Sequence, residues 1–117
     1  ATAMLKKRGI IVAILTGENS DIVIARAEKL NIDEVYVDEH EKLKRLTYLT
    51  KKYEISMDEV AFIGDDVNDL EVLKAVGFSA LAGNSPIVDQ FTPDYITTRH
   101  GGNGAFREFA DIILNAQ

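Results

Sequence analysis

Along residues 1–117, runs that are apolar on both sides alternate with segments whose apolar positions recur every three or four residues. Residues 10–15 (Ile-Ile-Val-Ala-Ile-Leu), 35–37, 60–63 and 78–81 read as buried strands, and 95–96 as an edge strand following Pro93. Between them, residues 20–30 read as a helix capped by Ser20 with Ile22, Val23, Ala27 and Leu30 inward. The next helix runs from the acidic loop to Tyr53 with Leu43, Leu46, Leu49 and Tyr53 inward, and a third spans 70–76, stopped by Gly77. Residues 1–8 read as the end of a helix stopped by Gly9, 56–59 as one capped turn, 86–90 as a brief helix, and 105–114 as the closing helix. Met4 and Met57 read as core filler, and residues 99–104, with three glycines, as a flexible loop.

Strands alternating with helices require crossover connections, so the fold class is α/β: one doubly wound parallel sheet with helices on both faces, a single domain over residues 1–117. The loops at 16–19, 38–41, 64–69 and 82–85 each follow a strand and therefore share the carboxyl edge, where such sheets bind ligands.

Charge and composition narrow the chemistry. A formal net charge of −6 leaves no basic field for nucleic acid or an anionic membrane surface, and no apolar run is long enough to cross a bilayer. These features make the cytoplasm the expected compartment. Without cysteine, thiolate metal sites, disulfides and cysteine nucleophiles are excluded together.

The chemistry concentrates in Gly64-Asp65-Asp66-Val67-Asn68-Asp69. Two carboxylates about 4 Å apart repel by roughly 4 kcal/mol at an effective dielectric near 20, so this density at a strand end points to a hard divalent cation such as Mg²⁺. The plainer alternative is an Asp-rich turn in which Asp66 caps the following helix. Thr16 and Gly17, a hydroxyl and open backbone ahead of a helix, make either an anion site or only a turn. Lys42 falls in a first helical turn, where a cation opposes the dipole; it is either a phosphate ligand or neutralised by Glu39 and Glu41. His40 and His100 read as surface histidines. Hydroxyl, lysine and metal carboxylates together are equipment for phosphoryl transfer, and Asp38 is the one candidate for a covalent acceptor.

In this order the motifs resemble the haloacid dehalogenase superfamily of Mg²⁺-dependent phosphatases: Thr16 after a strand, Lys42 in Glu41-Lys42-Leu43, and Gly-Asp-Asp-x-x-Asp at 64–69. The closing residues, from Asp94-Tyr95-Ile96-Thr97-Thr98 to Arg107-Glu108, are similar to the capless branch acting on 3-deoxy-octulosonate 8-phosphate and nonulosonate 9-phosphates, often as tetramers. The resemblance implies Asp65 as a Mg²⁺ ligand, with Asp66 and Asp69 ordering the metal site. It also implies Thr16, Gly17 and Lys42 around the phosphoryl group, and Asn68 beside them. Glu18, where octulosonate enzymes carry a basic residue, resembles the nonulosonate branch, and Asn103 stands where the tail often has arginine. The family's nucleophilic Asp-x-Asp belongs to a central strand expected upstream of Ala1. The expected chain is therefore a Rossmann-like core without that strand, in which strands 10–15 and 60–63 pair directly or receive a strand from another polypeptide. Two other functions remain open on the residues: a non-catalytic phosphate- or Mg²⁺-binding or subunit-interaction domain, and a receiver domain. Loop order disfavours the receiver, because Lys42 precedes the aspartates.

Overall fold

The computed structural model describes residues 2–98 and 103–116. It divides into two compact units, Ala1–Lys42 and Leu43–Gln117.

In the first unit, α1 (Thr2–Lys7) leads to β1 (Ala13–Leu15), α2 (Asp21–Lys29) and β2 (Glu34–Tyr36). β1 and β2 pair in parallel, Ala13 opposite Glu34 and Leu15 opposite Tyr36. Gly9, at φ +78°, ends α1 in the left-handed conformation that glycine adopts freely. Its N–H reaches Lys6 O and the next N–H, of Ile10, reaches Leu5 O, the paired bonds of a Schellman close. Asn31 ends α2 in the same way, through Asn31 N to Glu28 O and Ile32 N to Ala27 O.

The second unit contains α3 (Lys42–Lys52, whose first residue belongs to the first unit), β3 (Ala61–Gly64), α4 (Leu70–Ala75), β4 (Phe78–Leu81), β5 (Tyr95–Ile96) and α5 (Asn103–Ala116). β3, β4 and β5 form a parallel sheet in that order, Gly64 opposite Leu81 and Leu81 opposite Ile96, with β5 at the edge. Leu73, Leu81 and Ile87 form its core, flanked by Phe62, Leu70 and Phe91. The mixed α/β class with parallel sheets is as the pattern predicts.

Several local expectations fail for identifiable reasons. The ladder of residues 10–15 shortens to 13–15, because Ile10 N is spent on closing α1 and β2 offers three partners. The strands lie in two sheets, and among the described residues β1 pairs with β2 alone, so 10–15 and 60–63 do not pair directly. Ile22 is 79% exposed: five residues before buried Ala27, it lies about 140° around the helix from it. Leu30 has already left the helix as its C-cap and is exposed, and Met4 is exposed too. Residues 86–90 form successive turns closed by bonds such as Gln90 N to Ile87 O, with no helix. Gly77 does not end α4 by a left-handed turn. It is glycine because a Cβ there would lie 2.0 Å from Asp58 O, while its N–H donates to Met57 O and Val60 O. The expected 99–102 part of the glycine-rich loop, with Arg99 and His100, lies outside the described residues; Asn103 and Gly104 open α5.

Candidate functional site

The acidic loop of the second unit is built by its own last carboxylate. Asp69 is 2% exposed and turns back so that Oδ2 accepts from Asp65 N at 3.0 Å and Asp66 N at 3.3 Å. Asp66 occupies the N-cap of the single 3-10 turn Val67–Asp69, its Oδ1 accepting from Val67 N at 2.6 Å. Asp66 is a cap, as the plainer alternative has it, but of the short turn ahead of α4 and not of α4 itself, and Asp69, expected to stay solvated in that alternative, is buried and completes the box from the other side. Gly64 permits this fold-back: a Cβ on it would lie 2.8 Å from Asp69 Cβ and Oδ2. The Gly-Asp-Asp-x-x-Asp spacing is thus a packing requirement.

A residue the sequence reading missed clamps the loop from the far side. Ser85, buried after β4, donates its hydroxyl to Asp65 O at 2.9 Å and accepts from Ile87 N at 3.3 Å. The signal was present, since the 82–85 loop follows a strand on the same edge, but nothing local says which carbonyl its hydroxyl meets. Asp65, Asp66 and Asn68 remain exposed. Hard carboxylate oxygens over a glycine whose missing Cβ lets the loop close suit Mg²⁺. Among the described residues no group of three or more His, Cys, Asp or Glu side chains is arranged to hold a metal, so a cation here would complete its shell with water and phosphate oxygens.

In the first unit, two loops that are distant in sequence lie together. Thr16 N donates to Tyr36 O, Glu39 N to Thr16 O and Asp38 N to Glu18 O, so residues 16–18 and 36–39 are zipped by backbone bonds. Thr16 Oγ1 accepts from Glu18 N at 3.1 Å, leaving its own hydroxyl proton to donate elsewhere. Asp38 adopts φ +53° without ending a helix, and its Oδ1 lies 2.8 Å from His40 Nε2. His40, read from sequence as an isolated surface residue, stands over Gly17. Lys42 is half-buried at the first position of α3, as its first-turn placement predicts, and Glu18 is exposed.

The structure thus gathers Thr16, Gly17 and Glu18 with Asp38 and His40 in one unit, and Asp65, Asp66, Asn68 and Asp69 with Ser85 in the other.

A family model described as haloacid dehalogenase-like hydrolase matches residues 1–77. The 3-deoxy-D-manno-octulosonate 8-phosphate phosphatase KdsC of Haemophilus influenzae is 37% identical over 114 residues, 97% of this chain and 63% of that protein. The Escherichia coli protein of the same name is 38% identical over 109 residues, 92% of this chain and 57% of that protein. The chain therefore spans about three-fifths of the length of these curated relatives. Among solved structures, the cobalt-bound form of the Haemophilus influenzae phosphatase matches with TM-score 0.91 and 36% identity, over 99% of this chain and 68% of that one. The Moraxella catarrhalis phosphatase, in complex with magnesium, phosphate and KDO, matches with TM-score 0.93 and 42% identity, over 99% of this chain and 67% of that one.

Proposed function

This chain belongs to the haloacid dehalogenase-like hydrolase family, and on that premise we propose that it is the core of a Mg²⁺-dependent phosphatase for sugar-acid phosphates. The substrate class is 3-deoxy-octulosonate 8-phosphate or a nonulosonate 9-phosphate, with an attacking carboxylate drawn from outside residues 1–117. The observation that carries the reading is the acidic loop, in which buried Asp69 and Ser85 fix the backbone so that Asp65 stands exposed at the carboxyl end of β3.

In this reading Asp65 would be the protein's principal Mg²⁺ ligand, Asp66 and Asp69 would order the ion's waters and hold the loop in shape, and Asn68 would add an outer contact. Magnesium, when bound, supplies charge neutralisation to the phosphoryl oxygens. Thr16 donates its hydroxyl proton to a phosphoryl oxygen, the Gly17 N–H provides a second donor, and Lys42 offsets the dianion's charge. Glu18, exposed next to Gly17, is assigned to recognition of the sugar-acid part of the substrate.

Phosphate release from octulosonate 8-phosphate and nonulosonate 9-phosphate, with and without Mg²⁺, tests the reading. It is measured for the chain alone and for the chain mixed with the Asp-x-Asp segment of a relative. Turnover that appears on mixing and is lost in Asp65→Asn supports the phosphatase core. Mg²⁺ binding without turnover in either mixture favours a non-catalytic binding domain, and Mg²⁺ affinity unchanged in Asp65→Asn removes the metal assignment.

A further inference from the structure

We propose that Ser85 and Thr97 are positioning residues for the cation site, holding Asp65 through the loop at 82–85, an inference that rests on the Mg²⁺ reading of Asp65. Neither side chain touches the ion in that reading. Their part is to fix the main chain from which the Asp65 carboxylate projects.

Residue 65 is gripped at both of its backbone polar groups. Its N–H donates to Asp69 Oδ2 at 3.0 Å, and its carbonyl accepts from the Ser85 hydroxyl at 2.9 Å. The direction of the second bond is set by chemistry, because a carbonyl oxygen can only accept. Asp69 belongs to the acidic loop itself, whereas Ser85 reaches Asp65 across 20 residues of sequence. With the peptide planes on either side of its Cα both held, the exposed Asp65 has only its side-chain torsions to order when it meets a cation, which keeps the entropic cost of binding small.

Ser85 is itself placed by tertiary contacts. The loop leaves β4 with Ala82 N bonded to Gly64 O at 3.2 Å and turns through Ser85 N to Ala82 O at 2.9 Å. From the other side, Gly83 N donates to Thr97 Oγ1 at 3.1 Å, and Thr97 N donates to Leu81 O at 2.9 Å. Ile87 N donates to Ser85 Oγ at 3.3 Å, which leaves the hydroxyl proton for Asp65. Ser85 and Thr97 are 4% and 2% exposed, so water does not readily take over a bond that either side chain gives up. The loop is thus a strut between the residue that follows β5 and the acidic loop, anchored by a hydroxyl at each end. A second buried serine, Ser79, lies outside the strut: its N–H and hydroxyl meet Asp94 Oδ2 at 2.9 Å and 3.2 Å.

Mg²⁺ titrations of the 117-residue chain, followed by NMR through the Asp65 and Asp66 amide signals, test the strut. Ser85→Ala is expected to weaken Mg²⁺ binding about fivefold, the size of one neutral hydrogen bond, and the isosteric Thr97→Val about twofold. Thr97→Ser, which keeps the hydroxyl, restores native affinity. Thr97→Val adds no further loss in the Ser85→Ala background, because Thr97 acts only through the loop. Ser79→Ala is the control: it lowers stability in urea as the strut variants do and leaves Mg²⁺ affinity unchanged, which separates positioning from folding. Native Mg²⁺ affinity in both Ser85→Ala and Thr97→Val, or an equal loss in Ser79→Ala, overturns the inference and leaves the metal assignment intact. Where Ser85→Ala does not fold, Thr97→Val decides alone. Absence of a saturable Mg²⁺ shift at the Asp65 amide of the native chain overturns the metal assignment, and the inference with it.

Discussion

The two units hold their functional loops by different means. In the second, the loop at 64–69 rests on a sheet whose core side chains, Leu73, Leu81 and Ile87, are at most 2% exposed, and a buried carboxylate three and four residues down the chain satisfies its backbone. In the first, Leu5 and Ala27 are the buried apolar residues among those described, Ile11, Ile22 and Leu30 lie exposed, and the loops at 16–18 and 36–39 are joined through backbone N–H and C=O groups. A loop ordered by its own side chain is set by local spacing and can be altered by one substitution. A loop ordered by main-chain bonds to another loop is indifferent to most side-chain changes but depends on the register of β1 and β2.

Core truncation separates the two most sharply. Leu81→Ala removes a fully buried side chain at the centre of the second unit and is expected to cost about 4 kcal/mol, whereas Ile22→Ala in the first should stay within about 0.5 kcal/mol. Urea unfolding of the two variants measures this, and similar losses in both would break the contrast. Gly77→Ala comes next, because its Cβ meets the Asp58 carbonyl and either the turn at 57–59 or β4 must shift. A loss of about 3 kcal/mol in thermal unfolding is expected.

Asp69→Ala leaves the N–H groups of Asp65 and Asp66 without their acceptor, for about 2 kcal/mol. Hydrogen exchange should accelerate at those two amides and remain unchanged at Glu39, whose N–H is held by Thr16 O. Acceleration at both would mean that the two loops are not independently ordered.

The smallest effect is confined to alkaline solution. Tyr95 donates its hydroxyl to Glu108 Oε2 at 2.6 Å, and that bond, then burial, then the carboxylate's charge raise its pKa above the ordinary 10.0. Because the folded value lies above the unfolded one, the stabilisation is fully present below pH 10.0 and fades as pH rises through the raised value. Denaturation midpoints measured across that range should fall in the native chain and fall less in Tyr95→Phe.

Much of the second unit's loop was legible because its interactions are short in sequence. Asp66 could be read as a cap at a strand end, while the part of Asp69, buried over Gly64 to complete the turn, came only with the structure. Ser85 was not legible as a clamp, since it meets Asp65 from 20 residues away. In the first unit Thr16 and Gly17 could be located, but His40 carries no sign in its neighbours that it will stand over Gly17. That placement depends on the parallel register of Ala13–Leu15 with Glu34–Tyr36.

The sequence by itself determined the α/β class, the order of strands and helices, the acidic loop and the motifs that mark the family, because periodicity, capping and glycine spacing act within a few residues. Only the tertiary structure decided that the strands lie in two parallel sheets, that Gly77 serves a backbone crossing and not a helix end, and that His40, in contact with Asp38, stands beside Gly17. Those outcomes depend on pairs of groups far apart in the chain, whose meeting is fixed by strand register and close packing rather than by any local preference.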